Sequence, residues 1–394
     1  MKSLLTLTLV VLSLLVLSSD SSYLVENAKV EYPDMRNISA IELAKDMGVG
    51  WNLGNSLEAI NANKGVLSGD ETTWGNPVIT QQLIDSVKAA GFNAVRIPVS
   101  WSHQLENNET HQIKEEWLNR VEEVVNYVLN NNMYAIINLH WDGGWLNQPF
   151  YNKQEELNNK VEALWEQIAL RFIDYNDYLL FAGTNEVHVT NNWDAPTQEN
   201  AEVQNSFNQT FVNTVRASGK RNQTRYLLVQ GYNTNIEHTV NYFVLPNDIT
   251  PDRLMVEVHY YDPYDFALNE GKDHKSQWGK PFAEGDVSLW GQEEWVKETF
   301  GKMKSKFIDK DIPVVLGEYG AIRRMSPESG YENHVESLHY YLSYVTHVAL
   351  EYGLVPVYWD NGYTGNNGFG LFDRKTGTQI YPGAINAIIY SKSE

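Results

Sequence analysis

Eight short apolar runs, each followed by a segment of helical periodicity, govern what this chain can fold into. The runs cover residues 48–55, 92–98, 133–140, 178–186, 225–231, 253–259, 312–318 and 354–360. Most are continuous rather than alternating, as in parallel strands buried on both faces. Between them, Ile79, Leu83, Ile84 and Val87 make one helical stripe, and Trp117, Val121, Val124, Val125 and Val128 make another. Residues 161–175, 201–217, 293–310 and 335–351 repeat that spacing. Gly91 and Gly353 stand where a left-handed residue closes a helix. Eight strand–helix units in one domain predict an α/β fold, the (β/α)8 TIM barrel. A doubly wound open sheet is the alternative, but no glycine-rich phosphate loop follows the first run. The expected organisation is a leader over 1–20, a polar lead-in over 21–40 and one barrel domain over 41–394. One short helix is expected between 23 and 45.

In such a barrel the chemistry gathers at the carboxyl ends of the strands. The last residues of the eight runs include Asn52 and Asn55, Arg96, His140, Asn185 and Glu186, Gln230, His259 with nearby Tyr261, Glu318, and Trp359 with Asp360. Nearly all are polar, ionisable or Trp. Two glutamates weigh most: Glu186 follows Tyr178-Leu179-Leu180-Phe181-Ala182, and Glu318 follows Ile312-Pro313-Val314-Val315-Leu316. Desolvating a carboxylate at the mouth of a buried strand is costly, so a pair of them calls for a chemical reason. Paired carboxylates flanking one bond are the standard equipment for cutting a glycosidic linkage.

The rest of the composition narrows the partners. A charge of −20 argues against nucleic acid or an anionic membrane and suits a neutral polysaccharide. Twelve tryptophans and twenty-three tyrosines offer faces for sugar stacking, although most such rings serve as core. Lys2, the apolar stretch 4–17 and the small residues 18–22 read as a secretory signal too short to span a membrane, so a secreted, extracellular protein is expected. Sequons at Asn37, Asn108, Asn208 and Asn222 agree with export through a glycosylating route. There is no cysteine, so the core alone must hold the fold, which this length permits. The chain is read as a monomer.

The motifs Trp51-Asn52-Leu53-Gly54-Asn55, residues 91–101 around Arg96, Thr184-Asn185-Glu186, His259-Tyr260-Tyr261 and Gly317-Glu318-Tyr319-Gly320 together resemble glycoside hydrolase family 5. Within it they are similar to endoglucanases of anaerobic gut fungi and rumen bacteria. The resemblance runs from about residue 41 to the C-terminus. It implies a (β/α)8 barrel that cleaves β-1,4-glucans with retention. It also implies Glu318 as nucleophile, held ionised by Arg96 and hydrogen-bonded by Tyr261. Glu186 would be the acid/base, with a raised pKa, and Asn185 would bond the 2-hydroxyl. His140 and His259 would line the cleaved subsite, and Trp359 would floor it. Asn52, Trp51 and Trp145 are candidate substrate contacts, with Trp141, Asp142 and His103 as weaker ones. Where many relatives carry a second histidine after the third strand, Trp141 stands here.

No metal or cofactor is expected, because His140, His188 and His259 lack the paired spacing of a helix-borne zinc site. The expectation is an endo-1,4-β-glucanase acting on cellulose and mixed-linkage β-glucan. Xyloglucanase or mannanase activity, or a non-catalytic glucan-binding barrel, are the alternatives.

Overall fold

The structure is a computed structural model that describes residues 34–63 and 65–391. Eight parallel strands close into one barrel in chain order. They are β1 (Gly50–Asn52), β2 (Ala94–Ile97), β3 (Tyr134–Asn138), β4 (Leu179–Ala182), β5 (Leu227–Gln230), β6 (Leu254–Tyr260), β7 (Val314–Tyr319) and β8 (Leu354–Tyr358). Six lie inside one of the eight apolar runs, β6 and β7 each run one residue past theirs, and every residue of every strand is buried. The open-sheet alternative is excluded by β1, which pairs with both β2 and β8.

Helix α1 (Ala40–Met47) precedes the barrel, with Ser39 and Glu42 forming a reciprocal capping box. Its apolar face (Ala40, Leu43, Ala44 and Met47) packs against the inward side chains of the strands, including Tyr134, Tyr226 and Met255. The boundary expected at residue 40 therefore falls at the start of a helix that seals the amino end of the barrel. The outer ring comprises α2 (Gln81–Ala89), α3 (Glu115–Leu129), α4 (Tyr151–Arg171), α5 (Gln198–Ala217), α6 (Ile236–Tyr242), the single turn α7 (Tyr264–Ala267), α8 (Glu293–Lys306), α9 (Tyr331–Tyr352) and α10 (Pro382–Ile389). Gly353 does close α9 in the left-handed conformation (φ 85°).

Helix α4 begins ten residues before the predicted start. Its first ten residues bury only Leu157, so no apolar stripe marks them. Helices α6 and α10, of seven and eight residues, were too short for a periodicity signal. The leader expected at 1–20 lies outside the described residues. Among the described residues, no helix is long and apolar enough to cross a membrane.

Candidate active site

Strand alternation builds the site from below. Tyr134 and Ile136, Leu180 and Ala182, Tyr226 and Leu228, Met255, and Val355 and Val357 all belong to the inner core cluster. Two residues further along each strand, the same face presents Asn138, Thr184, Gln230, Glu257 and Trp359. One more step along β6 gives His259.

Strand β7 departs from this pattern. Val315 is in the same inner cluster, so strict alternation would turn Glu318 outward. Pairing with β6 instead slips between Val258 and His259, setting His259 opposite Glu318. Gly317 is the extra residue of this bulge, and it re-aims Glu318 into the barrel mouth. A Cβ on Gly317 would collide with the Glu257 carboxylate. Only glycine fits there.

Arg96, fully buried, is the hub. Its Nη1 donates to Glu318 Oε1 at 2.9 Å and to Asn52 Oδ1 at 3.0 Å, and its Nη2 donates to Asn185 Oδ1 at 2.7 Å. Its Nε lies 2.7 Å from Glu257 Oε1. Tyr261 donates to the other Glu318 oxygen at 2.9 Å. His259 Nδ1 lies 2.6 Å from Glu186 Oε1, and its Nε2 lies 3.5 Å from Glu257 Oε1. Gln230 donates to Glu257 Oε2 at 2.6 Å. His140 stacks parallel to Trp359 with ring centroids 6.1 Å apart. Gly54 makes room for that indole, since a Cβ there would fall 2.8 Å from it.

Three carboxylates and two cations thus share one buried cluster. Burial works against charge on His259, but Glu318, Glu186 and Glu257 outweigh it and push the imidazole up to about 9. Burial also opposes charge on Glu257, yet Arg96 and His259 hold its carboxyl down at about 2. Burial, with Arg96 and His259, keeps His140 well below its ordinary value and therefore neutral. Glu318 is raised by burial and by the charge of Glu186, against the pull of His259 and Arg96. Glu186 is raised by burial but lowered on balance by its hydrogen bond with His259. The sequence reading expects the reverse, with the proton on Glu186. The 2.6 Å contact lowers Glu186 and raises His259, so both shifts draw the shared proton toward His259.

Donor atoms of Glu186, His259 and Glu318 lie within 4.8 Å of one another, a spacing that would also suit a cation. Arg96 and Tyr261 already donate to both Glu318 oxygens, and the guanidinium charge repels a metal there.

The family model described as cellulase (glycosyl hydrolase family 5) matches residues 59–365. The chain belongs to glycoside hydrolase family 5. It is 49% identical over 362 residues to a xyloglucan-specific endo-β-1,4-glucanase of Bacteroides ovatus, covering 90% of this chain and 70% of that one. It is 36% identical to endoglucanase B of Neocallimastix patriciarum, covering 90% and 72%. Among solved structures, the Bacteroides ovatus family 5 xyloglucanase bound to an XXXG heptasaccharide superposes with a TM-score of 0.87 at 47% identity, covering 92% and 79%. A broad-specificity endoglucanase from Bacteroides salanitronis gives 0.83 at 38%, covering 92% and 97%. The protein is a glycoside hydrolase of the endoglucanase type.

Within this family 5 site the structure gathers Glu186, Glu318, Arg96, Tyr261, His259, Asn185, His140 and Trp359, and it removes two of the expected substrate contacts, Trp51 and Asn52. Trp51 is fully buried; its indole N–H donates to Asp360 Oδ2 at 3.0 Å and Arg374 stacks on its ring. Asn52 is also fully buried, spending its amide on the Gly317, Val357 and Tyr358 carbonyls and its oxygen on Arg96. It positions Arg96 and meets no substrate. Trp145 donates to Asp142 Oδ2 at 2.6 Å and lies under Lys160, bracing its own loop. Of the weaker candidates, Asp142 and His103 are buried supports, while Trp141 is 41% exposed in the cleft.

The sequence does not single out Glu257 or Trp193, and it brings in His188 only as a metal-ligand candidate. For Glu257 a signal existed, because Glu257 and His259 are two apart on one strand and must share a face.

Two of the four sequons are also corrected. Asn208 and Asn222 are fully buried and hydrogen-bonded to Gln230 and to Ala169, so neither can carry a glycan in the folded protein. Asn37 and Asn108 are exposed.

Proposed function

We propose that this endoglucanase is a secreted, retaining enzyme that cleaves within β-1,4-linked glucan backbones, xyloglucan included. The observation that carries retention is the separation of Glu186 and Glu318, whose nearest oxygens lie within 4.8 Å. Retaining enzymes hold their carboxyls about 5–5.5 Å apart, whereas inverting ones leave about 6.5–9.5 Å for a water. Glu318, with Arg96 and Tyr261 donating to it, is the nucleophile that attacks the anomeric carbon. Glu186 gives its proton to the departing oxygen, then takes one from the water that hydrolyses the glycosyl–Glu318 ester. The 2.6 Å contact supplies that proton: transfer from His259 Nδ1 to Glu186 Oε1 leaves both groups neutral. Asn185, fixed by Arg96 through its oxygen, keeps its amide nitrogen for the 2-hydroxyl.

Xyloglucan enters the proposal because the Bacteroides ovatus relative is named as specific for it, and a structural neighbour from Paenibacillus pabuli is a family 5 xyloglucanase. Export rests on the leader alone. The test compares viscosity with reducing ends on xyloglucan, carboxymethyl cellulose and mannan. Rapid viscosity loss on the first two, abolished in Glu318→Ala, is expected. Release of glucose alone would contradict internal cleavage, and equal activity of the variant would make the barrel's chemistry something else.

A further inference from the structure

Three charged side chains lie buried behind the loops after β1 and β8 and take no part in the proton transfers above. Asp360 is fully buried, Glu58 is 1% exposed and Arg374 is 4% exposed. Burying charge costs free energy, so such a cluster calls for a reason. Both carboxylate oxygens of Asp360 are fully used. Oδ1 accepts from the Gly362 amide at 2.7 Å and from Arg374 Nη2 at 2.9 Å. Oδ2 accepts from the Trp51 indole at 3.0 Å and from the Leu371 amide at 2.8 Å. Arg374 Nη2 also donates to the Asp360 carbonyl at 2.7 Å, and its Nη1 donates to Ser56 Oγ at 3.3 Å. Glu58 accepts from the amides of Asn55 and Ser56, the latter at 2.9 Å.

These bonds converge on two short stretches, 54–56 and 359–361. Gly54 donates to the Asp360 carbonyl at 3.0 Å, and its backbone lies so near the Trp359 indole that a Cβ would fall 2.8 Å from the ring. Asn76 spans both stretches, its amide donating to the Asn55 carbonyl at 2.8 Å and to the Asn361 carbonyl at 3.0 Å. Asn55 is held in the left-handed region (φ 57°), which a residue with a side chain keeps only where its surroundings fix it. Burial pushes the Glu58 carboxyl up to about 7, against those two amides and the charge of Arg374. Arg374 Nε has no hydrogen-bond partner among the described residues. Apolar packing would avoid both costs.

We propose that Arg374, Glu58 and Asp360 are positioning residues for the hydrolytic reaction: they lock the turn 54–56 against the backbone of Trp359 and so hold that indole in place under the sugar being attacked. Being buried, none of the three touches substrate. Trp51 belongs to the same clamp, with its ring beneath Arg374 and its N–H on Asp360. The inference rests on the glycosidase reading above, with Trp359 as the floor of the cleaved subsite. A misplacement of about 1 Å, introduced far from the chemistry, can cost about 10²-fold in rate.

The test is a double-mutant cycle on kcat/KM for dinitrophenyl β-cellobioside, a substrate reactive enough to report on weakened enzymes. Arg374→Met and Glu58→Gln are each made in wild type and in Trp359→Ala, with rates taken well below every unfolding midpoint. In wild type, Arg374→Met is expected to lose about tenfold and Glu58→Gln somewhat less. In Trp359→Ala each should lose less than about twofold, because the part they position is gone. Simple destabilisation would remove the same factor in both backgrounds. Coupling of either variant to Trp359 supports the clamp, and Glu58→Gln, which keeps the shape of the side chain, carries the cycle if Arg374→Met does not fold. Losses repeated in full in Trp359→Ala, or no loss from either variant in wild type, overturn it. A Trp359→Ala enzyme as active as wild type overturns the floor and the clamp together. A wild type inert toward the cellobioside overturns the glycosidase reading and everything built on it.

Discussion

Glu318 and Glu186 are both glutamates at strand ends, yet their hydrogen bonds set them apart. Both oxygens of Glu318 accept from fixed donors, Arg96 and Tyr261, which stabilise the charge a nucleophile needs. Among the described residues Glu186 has only His259 as a side-chain partner, and that partner can hand over a proton. Replacing Glu186 with Ala should lower kcat on cellohexaose by roughly 10²–10⁴-fold, with a smaller effect on an activated aryl cellobioside. Azide should restore turnover of the aryl substrate and give the β-glycosyl azide; an α-linked azide would contradict retention. Glu257 sets how long His259 keeps its proton. Its charge helps hold that imidazole at about 9, so Glu257→Gln should move the alkaline limb of the kcat/KM profile to lower pH. The carboxyl itself, at about 2 against an ordinary 4.5, contributes stability that is complete above 4.5 and lost as the pH falls toward 2. The variant should therefore lose less stability than wild type over that range. A limb that stays put in Glu257→Gln would mean that Glu257 does not govern His259.

At the scale of elements, β7 shows what a pattern of apolar residues can and cannot tell. The run 312–318 announces a buried strand, and its period places Val315 inward. The same period would point Glu318 away from the site; only the slip at Gly317 brings it round. At that slip the Glu257 carboxylate occupies the space a side chain on residue 317 would need, a contact between two strands that no single run encodes. Gly317→Ala should consequently cost about 1–3 kcal/mol of stability by overpacking and should cut kcat as well. Unfolding curves and steady-state rates would check both, and unchanged activity would show that the bulge does not aim Glu318. The same division explains the misread residues. Trp51 and Asn52 lie at the end of β1 as a site residue would, but their polar atoms are consumed by Asp360 and by carbonyls of β7 and β8, far away in sequence. Trp193 and His188, by contrast, sit on a loop with no period to betray them. The eight strands were legible because burial on both faces writes itself into composition. Partners across the barrel were not.

For the whole molecule, the barrel brings eight separate strand ends to one mouth, so that catalytic groups 222 residues apart in sequence, Arg96 and Glu318, meet at 2.9 Å. With no cysteine and a charge of −20, the protein is held by its core and repels anionic partners. Secretion from a glycosylating host should remove the leader, leaving an N-terminus near residue 20, and should place glycans on Asn37 or Asn108 only. Glycan on Asn208 or Asn222 in folded, active enzyme would contradict the packing around α5 and the turn that follows it. The double displacement itself is tested most directly by incubating the enzyme with a 2-deoxy-2-fluoro-cellobioside bearing a good leaving group and mapping the adduct by peptide mass spectrometry. A stable glycosyl ester on Glu318 is the expected result. An adduct on any other residue, or prompt hydrolysis with an inverted first product and no adduct, would contradict it.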